Sequence, residues 1–164
     1  MKIAVISDIH DHIHNLRQAC KMMQQAEALL CCGDLCSPFI VKELAEGFPN
    51  KNIHIVFGNN DGDLFRITQK ASEYEHLFVY GEFCEIVLDS RKIAVHHFDN
   101  VGRQLAWTAR YDLVCFGHNQ QFEISNTGST LVVNPGEIMG ELTGQASFVM
   151  YDSRSHQAEK RVVS

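Results

Sequence analysis

Asp8 and His10 in SDIHDHIHN, Asp34 in CCGDL, Asn59 and Asn60 in GNND, His96 in HHFD, and His118 and Gln120 in GHNQ are the residues of this chain whose types and spacing suit chemistry. Each group stands directly behind an apolar run. Carboxylate, amide oxygen and imidazole together suit Mn²⁺, Fe or Zn²⁺ better than a soft metal. Asp8, His10, Asp34, Asn59, His96 and His118, with Gln120 as a further candidate, outnumber the four groups of a structural zinc site. Two cations sharing one carboxylate would use them all.

Other polar residues nearby have plainer roles. His12 and His14 continue the spacing of His10, but the chain there is turning into a helix. His12 is expected near the pocket and His14 on the surface, neither of them a ligand. His54 alternates with Ile53 and Ile55 and reads as the polar face of a strand. Asp61 either positions Asn60 or caps the helix that follows. Gln120 stands between two readings, a weak ligand and a surface turn residue. Asn134-Pro135-Gly136 reads as a structural turn beside the pocket.

The elements that must position these residues alternate between strand and helix. KIAVIS (2–7) is an apolar, β-branched run, and residues 15–25 carry apolar side chains at helical spacing. ALLCC (28–32) is a second strand, and Pro38 suits a helix start running through Ala45. NIHIVF (52–57) is a third strand, followed by a short helix over 63–71. Such alternation implies a parallel sheet with right-handed crossovers. From residue 76 the pattern is strand-rich: HLFVY, FCEIVLD, RKIAVHH, then a helix over 101–110, DLVCF (112–116), QFEI (121–124) and TLVVN (130–134). ASFVMYD and AEKRVV close the chain as a hairpin. The expected fold is α/β, two packed mixed β-sheets flanked by helices in four layers, all one domain over residues 1–164.

Five of the apolar runs end in a candidate ligand, and three of those place a glycine immediately before it. Sites in open α/β sheets form outside the carboxyl ends of strands. A glycine there permits a sharp turn or a close backbone approach. Asp8 and His10, and likewise His118 and Gln120, are two apart, so an extended chain would point each pair to one side.

Composition narrows the rest. With 164 residues and 45% hydrophobic, the chain is long enough for a substantial core. No apolar run approaches the ~20 residues of a membrane span, and Asp8 interrupts any signal-like start. A cytoplasmic location is expected. The six cysteines then read as buried thiols, and Cys32 and Cys36 lack a second pair to complete a zinc site. A net charge of −6 argues against a broad nucleic-acid-binding surface, though metals reverse such a field locally.

The order D-x-H, G-D, G-N-N-D, H, G-H-x-x resembles the calcineurin-like metallophosphoesterases, whose usual last motif is G-H-T-H. SDIHDH, CCGDL, GNNDGD, VVNPGE and GELTG resemble the signature segments of its small YfcE-like phosphodiesterase branch, which includes the scaffold subunit of retromer. The resemblance runs nearly end to end. It implies Asp8 and His10 on a first metal, Asp34 bridging, and Asn59, His96 and His118 on a second, with Gln120 at the place of the last first-metal histidine. It implies two divalent ions, Mn²⁺ foremost with Ni²⁺, Fe²⁺ or Zn²⁺ as alternatives, and a metal-activated hydroxide attacking a small phosphate ester, a diester before a monoester. It also implies a homodimer. Asn60 would contact the phosphate where many relatives carry a proton-donating histidine, and an amide is no general acid. HHFD stands where the branch has H-G-H, so His97 is expected either to complete the first metal site or to cap the pocket. These departures sustain a rival reading: a non-catalytic scaffold like the retromer subunit, with a degenerate metal site.

Overall fold

A computed structural model describes all 164 residues. In chain order the elements are β1 (Lys2–Ile6), α1 (Ile13–Met22), β2 (Ala28–Cys31), α2 (Pro38–Gly47), β3 (Asn52–Ile55), α3 (Leu64–Ala71), β4 (Leu77–Val79), β5 (Phe83–Leu88), β6 (Arg91–His96), α4 (Asp99–Trp107), β7 (Leu113–Cys115), β8 (Glu123–Thr127), β9 (Thr130–Asn134), β10 (Ser147–Asp152) and β11 (Gln157–Val162). They form a six-stranded sheet, β11-β10-β1-β2-β3-β4, and a five-stranded sheet, β5-β6-β7-β9-β8. Both are mixed. β1 to β4 run parallel, and β10 runs antiparallel to both of its neighbours, β1 and β11. β6, β7 and β9 run parallel between antiparallel edge strands β5 and β8.

Side-chain alternation builds the layers. Ile3 and Val5 of β1 point into the space between the sheets, where they meet Leu30, Ile93, Val95, Leu113, Cys115, Val133, Val149 and Tyr151. Ala4 and Ile6 point the other way, onto Leu16, Ala19, Ile40, Leu44 and Ile67 of α1, α2 and α3. Ala94, Val114 and Val132 likewise turn outward from the second sheet onto Ala106 of α4 and onto Phe116. The central strands are thus buried on both faces, which is why they read as continuous apolar runs rather than alternating ones. The expected four-layer α/β arrangement is the one found.

Element ends differ from expectation for local reasons. α1 begins at Ile13, two residues early, because His12 Nδ1 accepts the Asn15 N–H and caps the helix. α4 starts at Asp99 and ends at Trp107, with Ala109 just beyond in the left-handed region. β8 spans Glu123–Thr127 rather than 121–124, since only Glu123 onward finds partners on β9. All six cysteines are free, five of them buried and Cys36 half-buried. Burial pushes the Cys31 thiol up to about 12. No helix is long and apolar enough to cross a membrane.

Candidate metal centre

The loops after β1, β2, β3, β6 and β7 converge at one end of the two sheets. Asp8 and Asp34 are fully buried, and their carboxylates lie within 4.8 Å of a ring nitrogen of buried His97. His10 Nε2 sits 3.7 Å from Asp8 Oδ1 and 3.4 Å from Asp34 Oδ2. His97 Nε2 lies 3.4 Å from that same Asp34 oxygen and 3.0 Å from Asn59 Oδ1. His118 Nδ1 is 2.9 Å from Asn59 Oδ1, and its backbone N–H donates to Asp8 Oδ2. Gln120 Nε2 reaches Asp8 Oδ1 at 3.5 Å, the outer limit of a hydrogen bond.

The structure brings His97 rather than His96 to this centre. Ile93 and Val95 of β6 face the inter-sheet core and Ala94 faces α4. A strand alternates faces, so a one-residue step changes the side on which a residue stands. His96 remains in the ladder opposite Phe83, and its Nδ1 accepts the Phe98 N–H. His97, just past the strand, turns to the other sheet, where its Nδ1 meets the Cys32 carbonyl at 2.8 Å. The bond to that carbonyl orients the ring so that Nε2 faces Asp34 and Asn59, as backbone carbonyls orient the histidines of metal sites.

Strand alternation does not explain Asp8 and His10. β1 has already ended at Ile6, and both residues take left-handed backbone conformations (φ +53° and +45°), as do Asp34, His118 and Gln120. Left-handed conformations cost a residue with a side chain about 1–3 kcal/mol where the surroundings impose them, and they cluster at functional sites. Two consecutive N–H groups, of Ile9 and His10, donate to the Asp34 carbonyl and hold this turn against the next loop. The glycines serve mainly close approach: a methyl at Gly58 would collide with the Asp34 carboxylate, and one at Gly117 with Ser7 and Asp8.

Asp61 is the organiser of the centre. Its Oδ2 accepts N–H bonds from Asp34 (3.1 Å) and Gly58 (2.7 Å), and its Oδ1 accepts one from Cys36 (2.8 Å). The helix cap is instead Asp63, which accepts from Arg66 N. Asn60 gives its backbone N–H to Asp34 Oδ1 and its side-chain N–H to Oδ2, both at 2.8 Å. Asn134 was legible only as a turn residue, yet its amide ties down Gly117 O and Asn119 Oδ1 and so braces the loop that carries His118.

The electrostatics are those of a cation site. Burial disfavours charge on Asp34, but hydrogen bonds from His97 and Asn60 outweigh it and hold the carboxyl down at about 2. The Asp8 carboxylate raises the pKa of His10 against burial. Burial opposes charge on His97 too, and the adjacent Asp34 carboxylate prevails and raises its pKa. His10 Nε2 is buried with no hydrogen-bond partner although it faces two carboxylates. A buried polar atom without a partner is rare, and a cation between it and the carboxylates would satisfy all three. The donors present therefore fit a divalent metal.

Residues 1–156 match the family model of the calcineurin-like phosphoesterase superfamily domain. The chain is 30% identical to Phosphodiesterase MJ0936 of Methanocaldococcus jannaschii over 99% of both sequences. It superimposes on the structure of an archaeal phosphodiesterase with a TM-score of 0.91, at 30% identity and 99% coverage of each chain. Vacuolar Protein Sorting 29 from Cryptosporidium parvum, at 18% identity, shares the fold (TM-score 0.68, covering 98% of this chain and 95% of that one). This chain belongs to the calcineurin-like phosphoesterase superfamily.

Proposed function

We propose that the chain is a divalent-metal-dependent phosphodiesterase with two cations in its centre. The observation that carries this is the position of Asp34 Oδ2, 3.4 Å from the Nε2 atoms of both His10 and His97. One carboxylate oxygen between two imidazoles suits a bridging ligand. Asp8, His10 and Asp34, with Gln120 at the margin, would hold the first ion. Asp34, Asn59, His97 and His118 would hold the second. His97 takes the role first expected of His96. Mn²⁺ is the leading candidate for this oxygen and imidazole set, with Fe²⁺, Zn²⁺ and Ni²⁺ behind it.

Bound there, such a pair would neutralise phosphoryl oxygens and lower the pKa of a water lying between them. The protein's own residues do the rest. Asn60 fixes the Asp34 carboxylate through two donors, and its remaining amide N–H is free to meet a phosphate oxygen at the rim. Asp61 keeps the Asp34 and Gly58 backbones in register, so the two sets of donors hold one spacing. The diester preference draws on the phosphodiesterase relative, which matches over its full length.

The test is hydrolysis of bis-p-nitrophenyl phosphate by metal-stripped protein, with Mn²⁺, Ni²⁺, Zn²⁺, Fe²⁺ and Mg²⁺ restored separately and His118→Ala as control. Metal-dependent turnover lost in the variant supports the enzyme. Absence of turnover with every metal favours the scaffold reading, since the Vacuolar Protein Sorting 29 fold match is equally compatible with it.

A further inference from the structure

Beside the metal centre a cleft of about 240 Å³ opens between the β7–β8 connection, the 137–146 loop and β11. Gln120, whose amide reaches Asp8, forms the wall on the side of the candidate centre. Gln121, Phe122, Thr143, Gln145 and Lys160 are among its other lining residues, and no acidic side chain is, although the chain carries a net charge of −6. The volume is below that of a pocket for a whole drug-sized ligand and suits one arm of an ester.

Lys160 is placed there by strand alternation. Ala158 of β11 packs against the inter-sheet core, so Lys160 shares its face, while Glu159 and Arg161 stand on the other and pair with each other at 2.8 Å. The Lys160 ammonium lies 4.6 Å from the centre of the Phe122 ring and donates to Gln145 Oε1 at 2.6 Å. No carboxylate neutralises it. Glu137 does not line the cleft, and its carboxylate accepts the N–H groups of Leu142 and Thr143 and the Thr143 hydroxyl. An ammonium has three donors, and only one is engaged.

We propose that this cleft seats an ester arm bearing an anionic substituent, a carboxylate or a second phosphate, and that Lys160 selects it. The placement of the reacting phosphorus rests on the phosphodiesterase reading above. Phosphorus at the metals puts one arm across Gln120, with its far end at the ammonium.

Two p-nitrophenyl diesters test this, one with a phenyl arm and one with a 4-carboxyphenyl arm, assayed on the Mn²⁺-loaded wild type and on Lys160→Ala and Lys160→Arg. The wild type should show a KM for the carboxylate at least fivefold lower than for the phenyl ester. Lys160→Ala should erase that preference through KM, leaving kcat and the phenyl-ester KM within twofold, and Lys160→Arg should restore it. Calorimetric binding of 4-carboxyphenyl phenyl phosphate and diphenyl phosphate to the same three proteins supplies a readout independent of turnover. Turnover of both esters with equal KM, or an equal loss for both in Lys160→Ala, overturns the subsite and leaves the phosphodiesterase standing. Lys160-dependent binding of the carboxylate without turnover of either ester keeps the subsite and overturns the enzyme. Neither turnover nor preferential binding overturns both.

Discussion

At the scale of residues, the consequential distinction is between two adjacent histidines. His97 points into the space between the sheets at Asp34, whereas His96 closes the β5–β6 ladder. His97→Ala is therefore expected to remove at least about 100-fold of any metal-dependent activity together with one metal equivalent, more than the roughly 10–100-fold known for residues that only support a ligand, while His96→Ala stays within about fivefold. Calorimetric metal titration of both variants checks this, and the reverse pattern would return the role to His96. Asn60 leads to a second expectation. With an amide where a proton donor would stand, the rate should fall steeply as the leaving alcohol becomes more basic. A series of substituted aryl diesters measures that slope, and a flat series would mean that some other group supplies the proton. Most of this centre was legible as residue types behind apolar runs. His97 was legible only as an alternative, completing the first metal site or capping the pocket, because a run of letters does not show which of two adjacent residues shares the inward face of Ile93 and Val95.

At the scale of elements, the centre is made by tight turns rather than by the strands they follow. Asp8, His10, Asp34, His118 and Gln120 all take left-handed backbone conformations in the loops just beyond the strands. The sequence showed the glycines but not these conformations, since Asp, His and Gln carry no unambiguous sign of them. Gly117 illustrates why its turn tolerates nothing larger: a methyl there would collide with Ser7 and Asp8. Gly117→Ala is expected to cost about 1–3 kcal/mol, the usual penalty of overpacking, and to weaken metal binding as well. Urea unfolding and metal titration of the one variant test both, and an unchanged midpoint would show that the loop yields freely. The helices and sheets were more readable than the turns, because burial on both faces produces long apolar runs whatever the exact strand ends.

At the scale of the whole molecule, stability should depend on pH through His54, a histidine read from the sequence as polar surface and found 6% exposed. Burial between β2 and β4 pushes its pKa down to about 4, with Tyr80 Oη 2.9 Å from Nδ1. In the unfolded chain this imidazole takes up a proton near 6.5, whereas in the folded chain it resists until about 4. Its neutral state therefore costs nothing above pH 6.5, and stability is lost as pH falls from there towards 4, by roughly 3 kcal/mol in total. Replacing it by Gln should flatten this part of the profile: the urea-midpoint difference between wild type and His54→Gln shrinks or reverses on acidification. A difference constant from pH 7 to 4.5 would count against it.

The centre draws Asp8, His10, Asp34 and Asn59 from loops of the six-stranded sheet, and His97, His118 and Gln120 from loops of the five-stranded one. A cation held by both sets would be a clasp across the seam. It would bind only when both halves are closed, and by mass action would penalise the opening of either. Amide hydrogens of β2 and β7, which lie in different sheets, should then slow their exchange together on addition of metal, and the two sheets should melt as one unit at a higher temperature.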